Sequence, residues 1–282
     1  MKRLCSISTF FLFLLCLFSC NTKQGPVQQA DRDSLQHNQT PALDSTRIKY
    51  NHLIGNIPIP FEILQKLSSS AVAYKPDLLN PASNVHKYNQ SNSKSMNLGV
   101  YGADLTYVIS MGQFKEFASY IRTVKKLADE LGIPTAFDDK TMSRFEQNKG
   151  NKDTLQNVMY GSYSEIDRSL KSDDRIGMAA LVICGGWVES MYLTTRTIGT
   201  NENNGSYTEL YNLMFEQKRH IRNLINLLND FKTEPFGEIA RDLEEINQLY
   251  TLALNDNHLS QDEVKGISEV VVRLRTRITN GS

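Results

Sequence analysis

The chain has 282 residues, of which 40% are hydrophobic and 22% charged, a balance that suits a folded globular protein rather than a disordered polyelectrolyte. Its 31 basic and 31 acidic residues cancel to a formal charge of zero and are spread along the whole length. The clustered cationic footprint that binding to a phosphate backbone requires is missing, so nucleic acid is not an expected partner.

At the N-terminus Lys2 and Arg3 precede an apolar run from Ile7 to Phe18, followed by Ser19 and Cys20. A charged n-region before an h-region of this length predicts a signal peptide over 1–19, and the run is too short for a permanent membrane-spanning helix. Leu17-Phe18-Ser19-Cys20 resembles the lipobox of bacterial lipoproteins, in which a Cys after a small residue is acylated and becomes the mature N-terminus. Phe18 is bulkier than the residue usual at that place. Losing Lys2 and Arg3 leaves 29 basic against 31 acidic residues. Cys5 and Cys16 leave as well and Cys20 takes lipid, so Cys184 remains as the single thiol of the expected mature chain. One thiol inside an apolar run reads as a small buried hydrophobe, and it provides no disulfide framework. Each acyl chain contributes about 0.8 kcal/mol per buried methylene, so an acylated Cys20 holds a domain at the membrane by itself.

From Asn21 to Lys49 the chain is rich in Gln, Asn, Asp, Ser and Thr without periodicity. It reads as a tether 20–49 with a coil span of about 30 Å and a reach of at most about 100 Å. Asn21-Thr22-Lys23-Gln24 lacks the acidic residues that resemble surface-export signals, which favours the periplasmic face of an outer membrane.

The remainder, 50–282, predicts one all-α domain of about eight or nine helices, arranged as antiparallel pairs around a central apolar helix at 174–198. Pro58 and Pro60 lead into a short helix with Phe61, Leu64 and Leu67, and Pro76 and Pro81 bracket a second short piece. Residues 80–97, rich in Asn, Ser, Lys and Gln, read as a long loop. Phe114, Phe117, Ile121, Val124 and Leu131 share a helical face that Gly132 and Pro134 terminate. Asp153 and Gln156 start a helix carrying Leu155, Val158, Met159 and Ile166. Ser172 to Asp174 start the central one, whose stretch Ile176–Val188 contains no charge and so asks for helices on every side. Gly185 and Gly186 in its interior, each about 1 kcal/mol worse than Ala, point to close approach of a neighbouring backbone or to a bend. Leu210 to Phe231 and Ile239 to Ala253 carry two further stripes, the second capped by Thr233 ahead of Glu234 and Pro235. Ser260 and Glu263 form a capping box before Val264, Ile267, Val271, Leu274 and Ile278. Arg273, Arg275 and Arg277 read as solvated charges that complement the helix dipole.

No histidine pair, cysteine pair, phosphate-binding loop or nucleophile elbow is present, so no metal site and no cofactor is expected, and no motif assigns a catalytic residue. Asn255-Asp256-Asn257 lacks the glycine and glutamate of a calcium loop. His220, beside Arg219 and Arg222, reads as a surface residue. Two carboxylates stand out because they lie in strongly apolar helical surroundings, Asp104 and Glu189. They define a candidate pocket of Tyr101, Asp104, Trp187, Glu189, Tyr192 and Arg196, against the plainer reading of structural hydrogen bonds or ion pairs between helices.

Asn56-Ile57-Pro58-Ile59-Pro60-Phe61-Glu62, the run from Asn97 to Asp104, and Gly185-Gly186-Trp187-Val188-Glu189 resemble segments of uncharacterised Bacteroidota envelope lipoproteins. The resemblance implies a helical envelope domain and carries no activity with it. Asp33-Ser34-Leu35 and Asp153-Thr154-Leu155 resemble the short O-glycosylation sequon of that phylum, and the tether copy is the accessible one. Three functions are therefore expected in descending order: a non-catalytic lipid-anchored binding or scaffold domain of the envelope, a small-molecule binder with an aromatic pocket near Trp187, and a hydrolase using Asp104 and Glu189 as a carboxylate pair. The expected partners are the membrane, through Cys20, and an envelope protein or small ligand.

Overall fold

Helix-period patterning throughout 61–279 produces nine α-helices among the described residues and no strand. The computed structural model describes residues 50–51, 61–70, 72–172, 175–198, 207–253 and 258–281. Cys20, the tether, the Asn56–Pro60 motif, Asp174 and Asn255-Asp256-Asn257 lie outside them. In chain order the helices are α1 (Phe61–Ser69), α2 (Ser91–Ser110), α3 (Phe114–Glu130), α4 (Asp139–Gln147), α5 (Lys152–Ser172), α6 (Ile176–Ile198), α7 (Thr208–Leu228), α8 (Phe236–Leu252) and α9 (Gln261–Thr279). Short 3-10 turns stand at Pro76–Leu78, Ala82–Lys87 and Pro134–Phe137.

The uncharged stretch of α6 settles where the core lies, since a helix apolar on every side is stable in water only inside a layer of other helices. α6 touches α1, α2, α5, α7 and α9, as a central helix must. By length and composition it is also the one described helix able to cross a bilayer, yet 78% of its most apolar window is buried inside the protein. Cys184 is fully buried within it, and burial pushes its thiol up to about 12.

α6 crosses α2 with the two backbones in direct contact. A methyl group added to Gly99 would fall 2.0 Å from the Val182 carbonyl oxygen, and one added to Gly185 would fall 1.9 Å from that of Met96. Backbone therefore meets backbone here, which answers the two interior glycines of α6 and pairs them with a glycine on α2. α2 also holds Gly102, where an added methyl would fall 1.7 Å from Tyr163 Oη of α5.

Several local signals act as expected. Gly132 takes a left-handed φ of 71°, and the amide of Ile133 reaches back to Ala128 O at 2.8 Å, ending α3 ahead of Pro134. Ser260 and Glu263 make a reciprocal capping box on α9. Three expectations need correction. The stretch 80–97 is not a loop: Ala82–Lys87 is a 3-10 turn and Ser91 opens α2. Several of its polar residues bond inside the fold, with Ser95 Oγ donating to Ser91 O, and Asn97 Nδ2 to both Ser93 O and Ile278 O, so composition misled where back-bonding to the helix decides. Thr233 does not cap α8, which instead uses the Glu234 carboxylate as acceptor for the Glu238 amide at 3.0 Å. α5 is capped by Asn151, whose Oδ1 accepts from the Thr154 amide at 3.0 Å, and not by Asp153. Gln156, expected at that helix start, reaches Ser110 Oγ of α2 instead.

The crossing predicts an asymmetry between glycines. Gly185→Ala forces α2 and α6 apart and is expected to cost about 3 kcal/mol of unfolding free energy. Gly161→Ala, on the exposed side of α5 with nothing within 4 Å of the new methyl, is expected to stabilise by about 0.5–1 kcal/mol. Urea unfolding of the two variants checks both signs, and a neutral Gly185→Ala would remove the crossing from its structural role.

Candidate functional site

Helical spacing puts Tyr101 and Asp104 one turn apart on α2, and Glu189 and Tyr192 one turn apart on α6. The α2–α6 crossing then brings these two faces together. Asp104 and Glu189 are both fully buried and lie within hydrogen-bonding reach of each other. Between them and the outside stands Arg275 of α9. Its Nε and Nη2 bind the two oxygens of Glu189 at 3.0 and 3.1 Å, Nη2 also donates to Leu78 O at 3.1 Å, and the guanidinium lies 4.4 Å from the centre of the Tyr192 ring. The bidentate fork and the ring stack are geometries that Lys does not reproduce.

Charge counting defines the state of the cluster. Two carboxylates and one guanidinium would leave one negative charge uncompensated in a sealed space. Asp104 Oδ2 accepts from the Asn80 amide at 3.2 Å, while its Oδ1 is buried without a donor. Burial first, and then the neighbouring Glu189, raise the Asp104 carboxyl well above its ordinary value; Arg275 opposes this without offsetting it. Asp104 is thus the carboxyl on which a proton is favoured, next to a Glu189 whose two oxygens already accept from Arg275. Burial opposes the charge of Arg275, but Glu189 more than compensates and Arg275 stays cationic.

Tyrosines close the surroundings. Tyr101 Oη donates to Pro81 O at 2.8 Å and Tyr120 Oη to Asn80 O at 3.2 Å, with ring centres 6.3 Å apart. Asn80, fully buried, donates through Nδ2 to Tyr88 Oη at 3.0 Å, and Tyr88 donates to Thr279 O.

Four of the six residues expected in one pocket therefore meet: Tyr101, Asp104, Glu189 and Tyr192. Two do not. Trp187 stands two residues before Glu189, about 200° around the helix, and its buried indole donates to Gln217 Oε1 of α7 at 3.1 Å. Arg196 is exposed and lines an open groove of about 660 Å³ between the end of α6 and the first half of α9, with Thr195, Val264, Lys265 and Ser268. No protein-family model, no curated protein and no solved structure matches the chain.

Of the three arginines of α9 read as solvated, only Arg275 departs from that reading. Arg273 pairs with Glu245 at 2.7 Å and Arg277 with Asp242, both on α8, while Arg275 turns inward. The signal was its position four residues after Val271 and next to Leu274, at the edge of the buried stripe. His220 is buried rather than exposed, its pKa lowered to about 4 by burial and then by Arg219. It stands four residues before Leu224 on the apolar stripe of α7, a spacing that outweighs its charged neighbours. Asn80 carries no sequence signal, because its role depends on which backbone groups the fold brings to it. Among the described residues no group of three or more His, Cys, Asp or Glu is placed to hold a metal ion.

Two predictions test the cluster. A carboxyl whose pKa is raised in the folded state contributes stability that is complete below its ordinary value of 3.8 and is lost as pH rises toward the folded value. Asp104→Asn keeps the shape and a donor toward Glu189 but does not titrate, so its stability gain over the parent is expected to grow by up to about 1.4 kcal/mol per pH unit across that window. Chemical unfolding at a series of pH values reads this, and parallel curves would place the proton elsewhere. Arg275→Leu leaves Glu189 buried and unpaired, and is expected to cost about 3–5 kcal/mol at neutral pH by the same measurement.

Proposed function

We propose that the chain is a lipid-anchored, non-catalytic binding domain of the bacterial envelope, held by acylated Cys20 at the outer membrane and facing the periplasm. The observation that carries the non-catalytic part is the closure of the Asp104–Glu189–Arg275 cluster. Glycoside hydrolysis and related carboxylate chemistry need two carboxyl groups that flank a substrate bond, with room for a water or a sugar. Here the two face each other with no exposed surface, and one of them commits both oxygens to an arginine. The arrangement suits a structural lock, and it leaves binding at the surface as the function open to the domain.

The anchor part rests on the order of n-region, h-region and Ser19-Cys20, and on the resemblance of the run from Asn97 to Asp104 to envelope lipoproteins. Those very residues line the α2–α6 crossing and the cluster, so the resemblance tracks residues that hold the fold. A small-molecule reading is favoured by one further observation, the open groove beside Arg196 and Lys265. It does not extend to Trp187, whose ring is packed against α7.

The test uses the full lipoprotein purified in detergent from its own envelope and weighed by native mass spectrometry. A protein-sized adduct retained by Asp104→Asn is the expected result. A small adduct lost on Arg196→Ala moves the function to the groove. Turnover of an envelope glycan that Asp104→Asn abolishes while the fold persists overturns the non-catalytic reading. Cys20→Ala is expected to shift the protein from the membrane to the soluble fraction, and unchanged membrane association would remove the acyl anchor.

A further inference from the structure

The segment Lys75–Tyr88 lies over the buried cluster and is attached in an unusual way. Its backbone-to-backbone hydrogen bonds among the described residues stay within the segment, as in Leu78 N to Lys75 O, Leu79 N to Pro76 O and Asn84 N to Pro81 O. Its hydrogen bonds to the helical body all involve a side chain, beside the apolar packing of Leu78, Leu79, Val85 and Tyr88 in the core. The Asn80 amide donates to Asp104 and the Leu78 carbonyl accepts from Arg275. Tyr120 and Tyr101 donate to the carbonyls of Asn80 and Pro81, and the Lys75 amide donates to Tyr107 Oη at 3.1 Å. The first two of these ties belong to the acid and the base of the cluster itself. Leu78, Leu79 and Asn80 are buried between exposed residues at Pro76, Asp77 and Pro81, and the Asn80 amide contacts the Asp104 carboxyl directly, so the strap lies between that carboxyl and an exposed stretch of chain.

We propose that the proton shared by Asp104 and Glu189 latches this strap, and that losing the proton lifts Leu78–Pro81 away from α2 while the helices stay in place.

The geometry says which element yields. With the proton present the cluster is neutral and every tie to the strap is compatible with it. Without it, two carboxylates share one guanidinium and Asp104 Oδ1 faces a like charge with no donor, an arrangement relieved only by separation or by water. Separation is blocked, because Gly99 and Gly185 bring α2 and α6 into backbone contact and both carboxylates are carried by those helices. Water has to enter, and the strap is the non-helical element there, packed on the body through Leu78, Leu79, Val85 and Tyr88 and tied to the cluster itself through the Asn80 amide and the Leu78 carbonyl.

The groups that face the pair from each surrounding element are Tyr88 on the strap, Tyr101 on α2, Tyr120 on α3, Tyr163 on α5, Tyr192 on α6 and Arg275 on α9. Burial raises the phenols of Tyr88, Tyr101, Tyr120 and Tyr163, and Arg275 remains charged. The proton between the carboxyls is therefore the one exchanged, and opening is linked to its release.

This linkage has a signature. Amide exchange through local opening rises about tenfold per pH unit from base catalysis, and release of one proton on opening multiplies this by up to a further tenfold. Hydrogen exchange of the full lipoprotein in detergent, followed by mass spectrometry from about pH 5 to about pH 9, is expected to show a slope for Leu78–Tyr88 approaching a hundredfold per unit. The amides of α6 keep the ordinary tenfold slope. In Asp104→Asn the strap is expected to return to the tenfold slope. Tyr120→Phe, which deletes one uncharged tie, is expected to speed strap exchange at every pH while keeping the steep slope, and it decides the matter if Asp104→Asn does not fold. Equal slopes for strap and α6 in both the parent and Tyr120→Phe would overturn the latch, as would a steep slope that persists in a folded Asp104→Asn.

Discussion

The contact on which the rest of the molecule depends is the backbone-to-backbone crossing of α2 and α6. Glycine in a helix interior costs about 1 kcal/mol relative to alanine, and this chain places glycines at Gly99, Gly102, Gly185 and Gly186 within its two most buried helices. The compensation is distance. With no Cβ between them, the two axes approach closely enough for the residues one turn away, Asp104 on α2 and Glu189 on α6, to meet across the crossing. A wider crossing would leave each carboxyl to find its own partner, and a single arginine would no longer serve both.

That proximity creates an electrostatic problem, solved by a proton and a guanidinium. Ions in an apolar core are tolerated when paired and fully hydrogen-bonded. Arg275 satisfies Glu189 with two bonds, makes a third to Leu78 O and covers its face with Tyr192. Asp104 is left over, and protonation is the lower-energy state for it. The cluster thereby joins the strap and the adjacent α2 to α6 and α9, which lie far along the chain, and couples the placement of the strap to a titratable group. Buried ionic groups of this kind contribute less to net stability than apolar packing would, but they tie specific elements together in one arrangement.

The same closure shapes the functional reading. Residue types suited to acid–base chemistry have converged, but on one another, and the surface available for recognition lies elsewhere, around the groove by Arg196. The glycines and carboxylates of 97–104 and 185–189 are accounted for by the crossing and the cluster, so those runs describe how the domain is built.

Most of the helices were legible in the sequence because the signals for them are local. Three-four spacing, the Gly132–Pro134 stop, the Ser260–Glu263 box and the uncharged face of α6 depend on neighbours within a few residues, and they predicted the all-α class and its central helix. Asp104 and Glu189 were legible as an anomaly, since a carboxylate in an apolar helix needs a partner, but the partner's identity was not. Tertiary structure alone decided that Arg275 serves them and Arg196 does not, that Trp187 faces away, that His220 is buried, and that the polar stretch 80–97 becomes a strap and the start of α2. Each of these depends on which helix faces which, a relation between residues distant along the chain that no window of local sequence contains.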